Sequence, residues 1–238
     1  MKPGRILGLI PAKGASTRLR RKNMYKLGGE TLTARAVACA RDAGCFDDIV
    51  VTTEDEEIAA EARRAGASVP FLRPERLAVD PAGVVDVTLH ALDELQKQGA
   101  YFDTVVILLP TSPLRTSDDV REALQCYISA DADFLMSVST YEHTPLAALA
   151  RDERGYLSPF LPEWLSRLGA SSTPGALPNL VRANGAVTIC DVARLRVERD
   201  YYAYPLASYE MPWDRGIDID NEADIAFAEF ILSRLSPT

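Results

Sequence analysis

The sequence predicts a single α/β domain over residues 1–238, built on a doubly wound, mostly parallel sheet of Rossmann-like type. Short apolar runs alternate with amphipathic stretches as far as Ser139, which is the pattern of repeated βαβ units. Several of these runs are almost continuously apolar, as is typical of strands that helices cover on both faces of a parallel sheet. At 238 residues the chain is also long enough to bury one sizeable core.

Each predicted element follows from a local pattern. Apolar runs predict strands at residues 6–10, 48–53, 69–72, 104–109, 134–138 and 186–190. Apolar stripes at helical spacing predict helices around residues 32–40, 58–62, 89–95 and 120–128, and a last helix at about 222–235. Thr53 with Glu56 matches a capping box, and Thr116 with Asp119 places an acidic residue in a first helical turn.

Residues 141–180 have an irregular sequence in which Pro, Gly and Ser are mixed with large side chains such as Tyr156, Phe160 and Trp164. The segment is either an insertion that binds a ligand and forms a dimer interface or a long irregular excursion. We favour the insertion, and with it a homodimer, because so many aromatic side chains would otherwise face water.

Charge and composition narrow the range of partners. The formal net charge of -8 repels nucleic acid and anionic membranes, so neither is expected as a partner. The four cysteines form no CxxC pair and the two histidines lack metal-ligand spacing, so reduced thiols are expected. The apolar run near the N-terminus is interrupted by Gly8 and stops at Pro11, too short for a signal peptide or a membrane span, so a cytoplasmic protein is expected.

A basic loop after the first predicted strand is the most informative motif. Residues 11–23 read PAKGASTRLRRKN, in which Gly14, Ala15 and Ser16 let backbone amides approach an anion. The cations of this loop are Lys13, Arg18, Arg20, Arg21 and Lys22. A strand that leads into such a loop predicts a polyphosphate site, and a surface loop with a basic face is the alternative interpretation.

A pair of aspartates near the C-terminus predicts a metal site. Asp218 and Asp220 alternate with Ile217 and Ile219, so in an extended segment both carboxylates point to one side while the isoleucines point into the core. Two carboxylates that face the same way repel unless a cation lies between them, and oxygen ligands beside phosphate favour Mg²⁺ or Mn²⁺. A solvated strand end is the alternative.

Competing nucleotide and hydrolase motifs are absent from the sequence. It contains no GxxxxGKS or GxxxxGKT loop, and no GxGxxG follows the first predicted strand. Ser16 has no evident histidine partner, because His90 falls in a helical stretch and His143 in a loop. The sequence therefore does not indicate a hydrolase triad.

Six motifs, in order over nearly the whole chain, resemble those of the acylneuraminate cytidylyltransferases, which include the CMP-sialic acid synthetases. They are PAKGASTRLRRKN at 11–23, TTEDEEIA at 52–59, FLRPERLAVD at 71–80, LLPTSPLRT at 108–116, RANGA at 182–186 and GIDID at 216–220. The resemblance implies a nucleotidyltransferase that transfers CMP from CTP to a small acidic acceptor of the nonulosonic, sialic-like type, with release of pyrophosphate and with Mg²⁺ or Mn²⁺ as cofactor. It also implies that residues 141–180 contribute to the acceptor region.

The same resemblance implies the site residues. The nucleotide-binding positions are Lys13, Ser16, Lys22, Asn23, Arg73 and Ala82, of which Arg73 matches the ribose and base contact and the backbone near Ala82 the part that reads cytosine. Thr111, Arg182 and Asn184 match positions near the acceptor, and Asp218 with Asp220 match the metal carboxylates. The expected catalytic residues are Lys13, Lys22, Asp218 and Asp220, which act by positioning and by neutralising phosphate charge.

The chain departs from the family pattern mainly on the acceptor side. Leu109 stands where sialic acid enzymes commonly have Gln, Ala147 where a Lys is common, and Pro174 near the place of an expected Arg, while Lys13 replaces the usual Arg of the first loop. A smaller phosphonate or a sugar phosphate is therefore the alternative acceptor. A nucleotide-sugar-dependent glycosyltransferase and a non-catalytic nucleotide-binding regulator are the alternative functions.

Overall fold

The computed structural model describes residues 4–16, 19–164 and 178–235. Its strands are β1 (Ile6–Pro11), β2 (Lys26–Leu27), β3 (Glu30–Thr31), β4 (Asp48–Thr52), β5 (Thr104–Ile107), β6 (Phe134–Thr140), β7 (Leu149–Arg151), β8 (Leu157–Pro159), β9 (Val181–Asp191) and β10 (Leu206–Glu210). Its α-helices are α1 (Leu32–Ala43), α2 (Glu56–Ala65), α3 (Val84–Lys97), α4 (Ser117–Ser129), α5 (Val192–Glu198) and α6 (Glu222–Leu235). Single 3-10 turns lie at Lys22–Met24, Glu75–Leu77 and Pro145–Ala147.

The central sheet has six strands in the order β10-β6-β9-β5-β1-β4. β1 is parallel to β4 and β5, and β10 is parallel to β6, whereas β9 runs antiparallel to both of its neighbours, β5 and β6. The predicted mostly parallel sheet is thus confirmed, with β9 as the one antiparallel strand of this sheet.

Side chains of β1 alternate between two buried layers, which is why the sheet is covered on both faces. Ile6 and Ile10 pack into a core with apolar residues of α1, α2 and α4. Leu7 and Leu9 point to the opposite face and pack with α3 and α5. The period of two along an extended strand therefore produces the doubly wound arrangement.

Two local predictions are wrong. Residues 69–72 form no strand, and the contact there is a single bridge between Val50 and Ser68, because Pro70 has no amide hydrogen with which to extend the pairing. The N-cap of α2 is Asp55, not Thr53, because the Asp55 carboxylate accepts hydrogen bonds from the amides of Glu57 and Ile58 at 2.8 and 3.1 Å. The Thr116–Asp119 capping box of α4 is present.

Most of the elements that carry functional residues end at one edge of the sheet. Because β1, β4, β5, β6 and β10 are parallel, their carboxyl ends meet there, and antiparallel β9 begins at the same edge. The chain passes from β1 to β4 on one side and returns to β5 on the other, so strand order reverses between β1 and β5. Ligands of open α/β sheets bind at such a reversal.

The described part of region 141–180 contains an exposed hairpin of β7 and β8. Leu149, Tyr156, Leu157 and Phe160 are each more than half exposed in or beside it. Thr17 and Arg18 of the basic loop, and residues 165–177 with Pro174, lie outside the described residues. Among the helices that are described, none has the length and apolar character needed to cross a membrane.

Candidate functional site

A cavity of about 180 Å³ lies at the β1–β5 reversal, and we call it the first cavity. Its lining includes Lys13, Ser16, Lys22, Asn23, Arg73, Ala82 and Thr111. These are all six residues predicted to bind the nucleotide, together with one that was predicted for the acceptor. The structure therefore gathers residues from the basic loop, from the connection between α2 and α3 and from the segment after β5 into one place.

The two lysines of the first cavity are held differently. The side chain of Lys13 is exposed and makes no hydrogen bond or ion pair with the residues that the structure describes. The Lys22 side chain is 10% exposed, and its Nζ donates to the Ile219 carbonyl at 2.6 Å and to Asp220 Oδ1 at 2.9 Å. Lys22 thus ties the loop to residues 216–220, which we call the aspartate segment. Lys13 presents an unneutralised charge to the cavity.

Asn23 orients the loop through its side chain. Nδ2 of that side chain donates to the backbone carbonyl of Lys13 at 2.8 Å, and the backbone carbonyl of Asn23 accepts from Thr33 Oγ1 at 2.9 Å. The Asn23 side-chain oxygen is buried and has no hydrogen-bond partner within the described residues. A buried acceptor without a donor costs free energy, so this atom suits a ligand that brings a hydrogen-bond donor.

The amides of the basic loop are engaged inside the protein. The Gly14 amide donates to Glu54 Oε1 at 2.7 Å, and the Ser16 amide to the Gly14 carbonyl at 3.0 Å. The predicted approach of these two amides to an external anion is therefore not present in the structure, because the Glu54 carboxylate already lies against the loop. The cation side chains remain as the groups that face the first cavity.

Arg73 is a buried part of the lining of the first cavity. Its Nε donates to Glu54 Oε2 at 2.9 Å, and Nη2 forms an ion pair with the same oxygen at 2.7 Å. Burial lowers the pKa of Arg73 from its usual value, and the charge of Glu54 opposes that change. The ion pair with Glu54 holds the Arg73 guanidinium in one orientation.

The aspartate segment follows the predicted alternation without forming a strand. Ile219 is fully buried, and it packs with Ile217 in a small core beside Leu27 and Leu32. The Ile219 amide donates to the Thr111 carbonyl at 2.8 Å, which joins this segment to the one after β5. Asp218 is exposed at a second cavity, and Asp220 is half-buried against Lys22.

The second cavity, of about 260 Å³, adjoins the first because Val84 and Leu109 line both. Its polar lining includes Arg182, Asn184 and Asp218. The Arg182 side chain makes no hydrogen bond or ion pair with any residue that is described, so it is available to an anionic group. Of the three predicted acceptor residues, Arg182 and Asn184 lie here and Thr111 lies in the first cavity.

Asn184 is committed mainly to the protein. Its side-chain oxygen accepts from Ser137 Oγ at 2.5 Å, and its Nδ2 donates to Ser139 Oγ at 2.9 Å. A Cβ on Gly216 would lie 2.5 Å from Ser139 Oγ, so only glycine lets the aspartate segment pass this network. Asn184 therefore positions the start of β9 and the aspartate segment.

Several residues at the site were not predicted, and Ala147, where the chain departs from the family pattern, lies away from both cavities. Tyr201 and Tyr202 line the second cavity, and Glu54 joins the basic loop to Arg73. The tyrosines follow α5, a helix without a clear apolar stripe, and Glu54 was visible only as part of the TTEDEEIA motif. Ala147 is exposed and lines neither of the two cavities.

Arg215 anchors the aspartate segment to α4. Its Nε and Nη2 donate to the two oxygens of Asp119 at 3.0 and 2.8 Å, and the Tyr209 hydroxyl donates to Asp119 Oδ1 at 3.1 Å. Burial alone would raise the pKa of Asp119, but hydrogen bonds from Arg215 and Thr116 outweigh it and the pKa is lowered.

We expect Asp119→Asn to lower the free energy of unfolding by about 2–3 kcal/mol at neutral pH, because charge-assisted hydrogen bonds are lost in a buried site. A lowered pKa stabilises the folded state above the carboxyl pKa of the unfolded chain, and that contribution disappears as the pH falls. The deficit of the variant should therefore shrink below about pH 4. Urea unfolding at pH 7 and pH 3 measures it.

Asp118→Asn is the matched control, because Asp118 lies in the same turn and forms an exposed ion pair with Arg121. A loss of stability in this control as large as in Asp119→Asn would contradict the assignment to the buried pair.

The carboxylates of Asp218 and Asp220 suit a hard divalent cation. In the part of the chain that is described, no three or more His, Cys, Asp or Glu side chains gather closely enough to hold a metal ion by themselves. Mg²⁺ usually takes one or two protein carboxylates and completes its shell with substrate phosphates and water. Asp218 lines the second cavity and Asp220 contacts Lys22 of the first, so their carboxylates have the chemistry of that donor set.

Comparisons with known proteins agree with one another. The family profile described as cytidylyltransferase matches residues 7–158. The chain is 31% identical over 229 residues to the CMP-N,N'-diacetyllegionaminic acid synthase of Legionella pneumophila, covering 96% of both proteins. It is 29% identical over 226 residues to the pseudaminic acid cytidylyltransferase of Campylobacter jejuni, covering 94% of this chain and 95% of that protein.

A solved structure shows the same fold. CMP:2-keto-3-deoxy-manno-octonic acid synthetase, complexed with CTP, superposes with a TM-score of 0.70 over 98% of this chain and 100% of the other, at 14% identity. The predicted nucleotidyltransferase architecture is confirmed by this match.

Proposed function

The chain belongs to the cytidylyltransferase family, and we propose that it transfers CMP from CTP to an acidic sugar of the nonulosonic type with release of pyrophosphate. The observation that carries the proposal is the pair of adjoining cavities. The first is lined by Lys13, Lys22 and Arg73, and the second by the unpaired Arg182. Two anionic substrates placed in these cavities would meet at the shared wall, near Leu109.

We propose that the nucleotide occupies the first cavity with its phosphates towards the basic loop. Lys13, Ser16, Lys22 and Asn23 would contact the triphosphate, Arg73 the ribose and base, and the backbone near Ala82 the cytosine. The lining of the first cavity supports this arrangement, because loop residues and Arg73 lie around the same space.

In the proposed reaction an acceptor oxygen attacks the α-phosphorus of CTP. The new bond joins that oxygen to the α-phosphorus, the hydroxyl proton of the acceptor is released to solvent, and the bond from the α-phosphorus to the bridging oxygen of pyrophosphate breaks. Lys13 and Lys22 would neutralise negative charge that grows on the leaving pyrophosphate. Catalysis then comes mainly from positioning and electrostatic stabilisation, as is general for transfer to and from phosphorus.

Asp218 and Asp220 would hold Mg²⁺ or Mn²⁺ beside the phosphates. When bound, such a cation neutralises phosphate oxygens and fixes their orientation. Lys22 keeps Asp220 in place through the 2.9 Å contact, and Arg215 and Asn184 fix the segment that carries both aspartates.

Arg182 would bind the carboxylate of the acceptor. The relatives from Legionella and Campylobacter are named for legionaminic and pseudaminic acid, which supports a nonulosonic acid as the acceptor. A guanidinium also binds phosphate. Pyrophosphate release with a phosphonate or a sugar phosphate, and not with a nonulosonic acid, would therefore correct this part of the proposal.

We also propose a homodimer that acts in the cytoplasm, where CTP is available. The exposed apolar side chains Leu149, Tyr156, Leu157 and Phe160 on and beside the β7–β8 hairpin support an interface in region 141–180. Light scattering after size-exclusion chromatography tests the oligomeric state, and a monomer at micromolar concentration would contradict it.

Pyrophosphate release tests the function. We expect release with CTP and a nonulosonic acid in the presence of Mg²⁺, little release with UTP, ATP or GTP, and none without an acceptor. CTP binding without turnover on any sugar acid, phosphonate or sugar phosphate would contradict the proposed transfer and favour a binding protein.

Lys22→Ala should lower kcat/KM for CTP by roughly 100-fold, because its ammonium meets charge that increases in the transition state. Arg21→Ala is the matched control, since Arg21 is the neighbouring cation and pairs instead with Glu57 at the surface. Arg20→Ala should also have a small effect. Equal, small losses in all three variants would mean that the loop only attracts anions.

A further inference from the structure

Glu54 contacts both the basic loop and Arg73, two parts of the lining of the first cavity. It lies in the turn between β4 and α2, and its side chain is 11% exposed. Oε1 accepts from the Gly14 amide at 2.7 Å, while Oε2 accepts from Arg73 Nε at 2.9 Å and forms an ion pair with Nη2 at 2.7 Å. One carboxylate thus holds the basic loop and the buried arginine together.

The contact between Glu54 and Arg73 places a positive charge in a buried position. The Arg73 side chain is 2% exposed, so its charge is removed from water and depends on Glu54 for compensation. Its backbone is also fixed, because the Arg73 amide donates to the Thr53 carbonyl at 2.9 Å. The charged hydrogen bond from Nε fixes the direction of the guanidinium as well as compensating its charge.

On the loop side, the contact depends on a close approach. A Cβ on Gly14 would lie 2.5 Å from Asp55 Oδ2, so only glycine lets the loop backbone rest against the turn that carries Glu54. The loop backbone therefore packs against the turn that follows β4, and the Glu54–Gly14 hydrogen bond holds it there.

We infer that Glu54 is a positioning residue of the nucleotide site, which sets the separation between the phosphate-binding loop and Arg73; the inference rests on the proposed function. A nucleotide that meets Arg73 with its ribose or base and the basic loop with its phosphates contacts both groups at once, so their relative placement affects its affinity. Glu54 fixes that placement because it contacts both, and it does not itself line the first cavity.

Steady-state kinetics of Glu54→Gln and Glu54→Asp, in the full chain with CTP, Mg²⁺ and its acceptor, test this role. Glu54→Gln should raise KM for CTP by about 10- to 100-fold, since charged hydrogen bonds are lost. Glu54→Asp keeps the charge on a shorter side chain and should rescue part of the loss. KM for the acceptor should stay within about twofold, because Glu54 does not line the second cavity.

Gly14→Ala provides an independent variant that leaves the Glu54–Arg73 pair intact, and it should also raise KM for CTP. Glu57→Gln is the matched control, because Glu57 lies in the same region and pairs only with surface Arg21 among the described residues. Its KM for CTP should be unchanged. Thermal unfolding of each variant separates loss of fold from loss of binding.

A double-mutant cycle with Arg73→Lys provides the decisive readout. If Glu54 acts through Arg73, Glu54→Gln should change KM for CTP at least about threefold less in the Arg73→Lys background than in the parent. Additive effects, or a normal KM for CTP in Glu54→Gln and Gly14→Ala, would overturn the inference while the parent's CTP turnover leaves the proposed function standing. A parent that does not bind CTP by calorimetry would instead overturn the proposed function.

Discussion

Asp220→Asn and Asp218→Asn should each lower kcat by about 1,000-fold while the fold stays intact, because each removes a carboxylate charge from the proposed metal site at nearly constant volume. Neither side chain belongs to the buried cores, since Asp218 is exposed and Asp220 is half-buried. Pyrophosphate release as a function of Mg²⁺ concentration measures the effect, and circular dichroism measures the fold.

Asp214→Asn is the control for these variants, because it removes the same charge from the same stretch of chain, lines neither cavity and does not pair with Lys22 as Asp220 does. It should retain near-parental activity. A variant with both Asp218→Asn and Asp220→Asn that kept normal Mg²⁺-dependent turnover would disprove the metal assignment. Normal binding of CTP without turnover in that variant would place the aspartates in the chemical step.

Much of the fold could be predicted from local patterns. Apolar runs of four to six residues became β1, β4, β5 and β6, because a buried parallel strand carries its signal in consecutive residues. The edge strand β10 gave no such signal, since Tyr209 is the one buried residue of LASYE and the other four are partly or fully exposed. The direction of β9 was also not predicted, because an apolar run does not encode the direction of its neighbours.

The candidate site was predicted in its parts but not in its connections. Lys13 and Lys22 are in a motif that follows β1, Thr111 is in one that follows β5, and parallel strands bring their ends together. Contacts between those motifs depend on tertiary structure: Glu54 with Gly14, and Lys22 with Asp220, join residues that are distant in the chain. The position of Thr111 also depends on tertiary structure. Its carbonyl accepts from the Ile219 amide, and it lines the first cavity and not the second.

The protein should discriminate strongly among acidic sugars as acceptors. Leu109 lines the wall between the two cavities, where the family resemblance implies a Gln in sialic acid enzymes, and a leucine side chain forms no hydrogen bond with a buried polar group of the substrate. Each such loss costs about 1–3 kcal/mol, or roughly 10- to 100-fold in kcat/KM. We therefore expect slow pyrophosphate release with N-acetylneuraminic acid and faster release with a differently substituted nonulosonic acid or a smaller acidic acceptor.

Leu109→Gln turns this expectation into a gain of function. It should raise kcat/KM for N-acetylneuraminic acid by about tenfold, because a donor and an acceptor return to the wall of the second cavity. Ala147→Lys, which restores the other polar residue implied by the resemblance, should give no gain, because Ala147 lies outside the lining of both cavities. Fast turnover of N-acetylneuraminic acid by the parent would show that Leu109 does not restrict the acceptor. A gain with Ala147→Lys alone would mean that residues beyond the two cavities contact it.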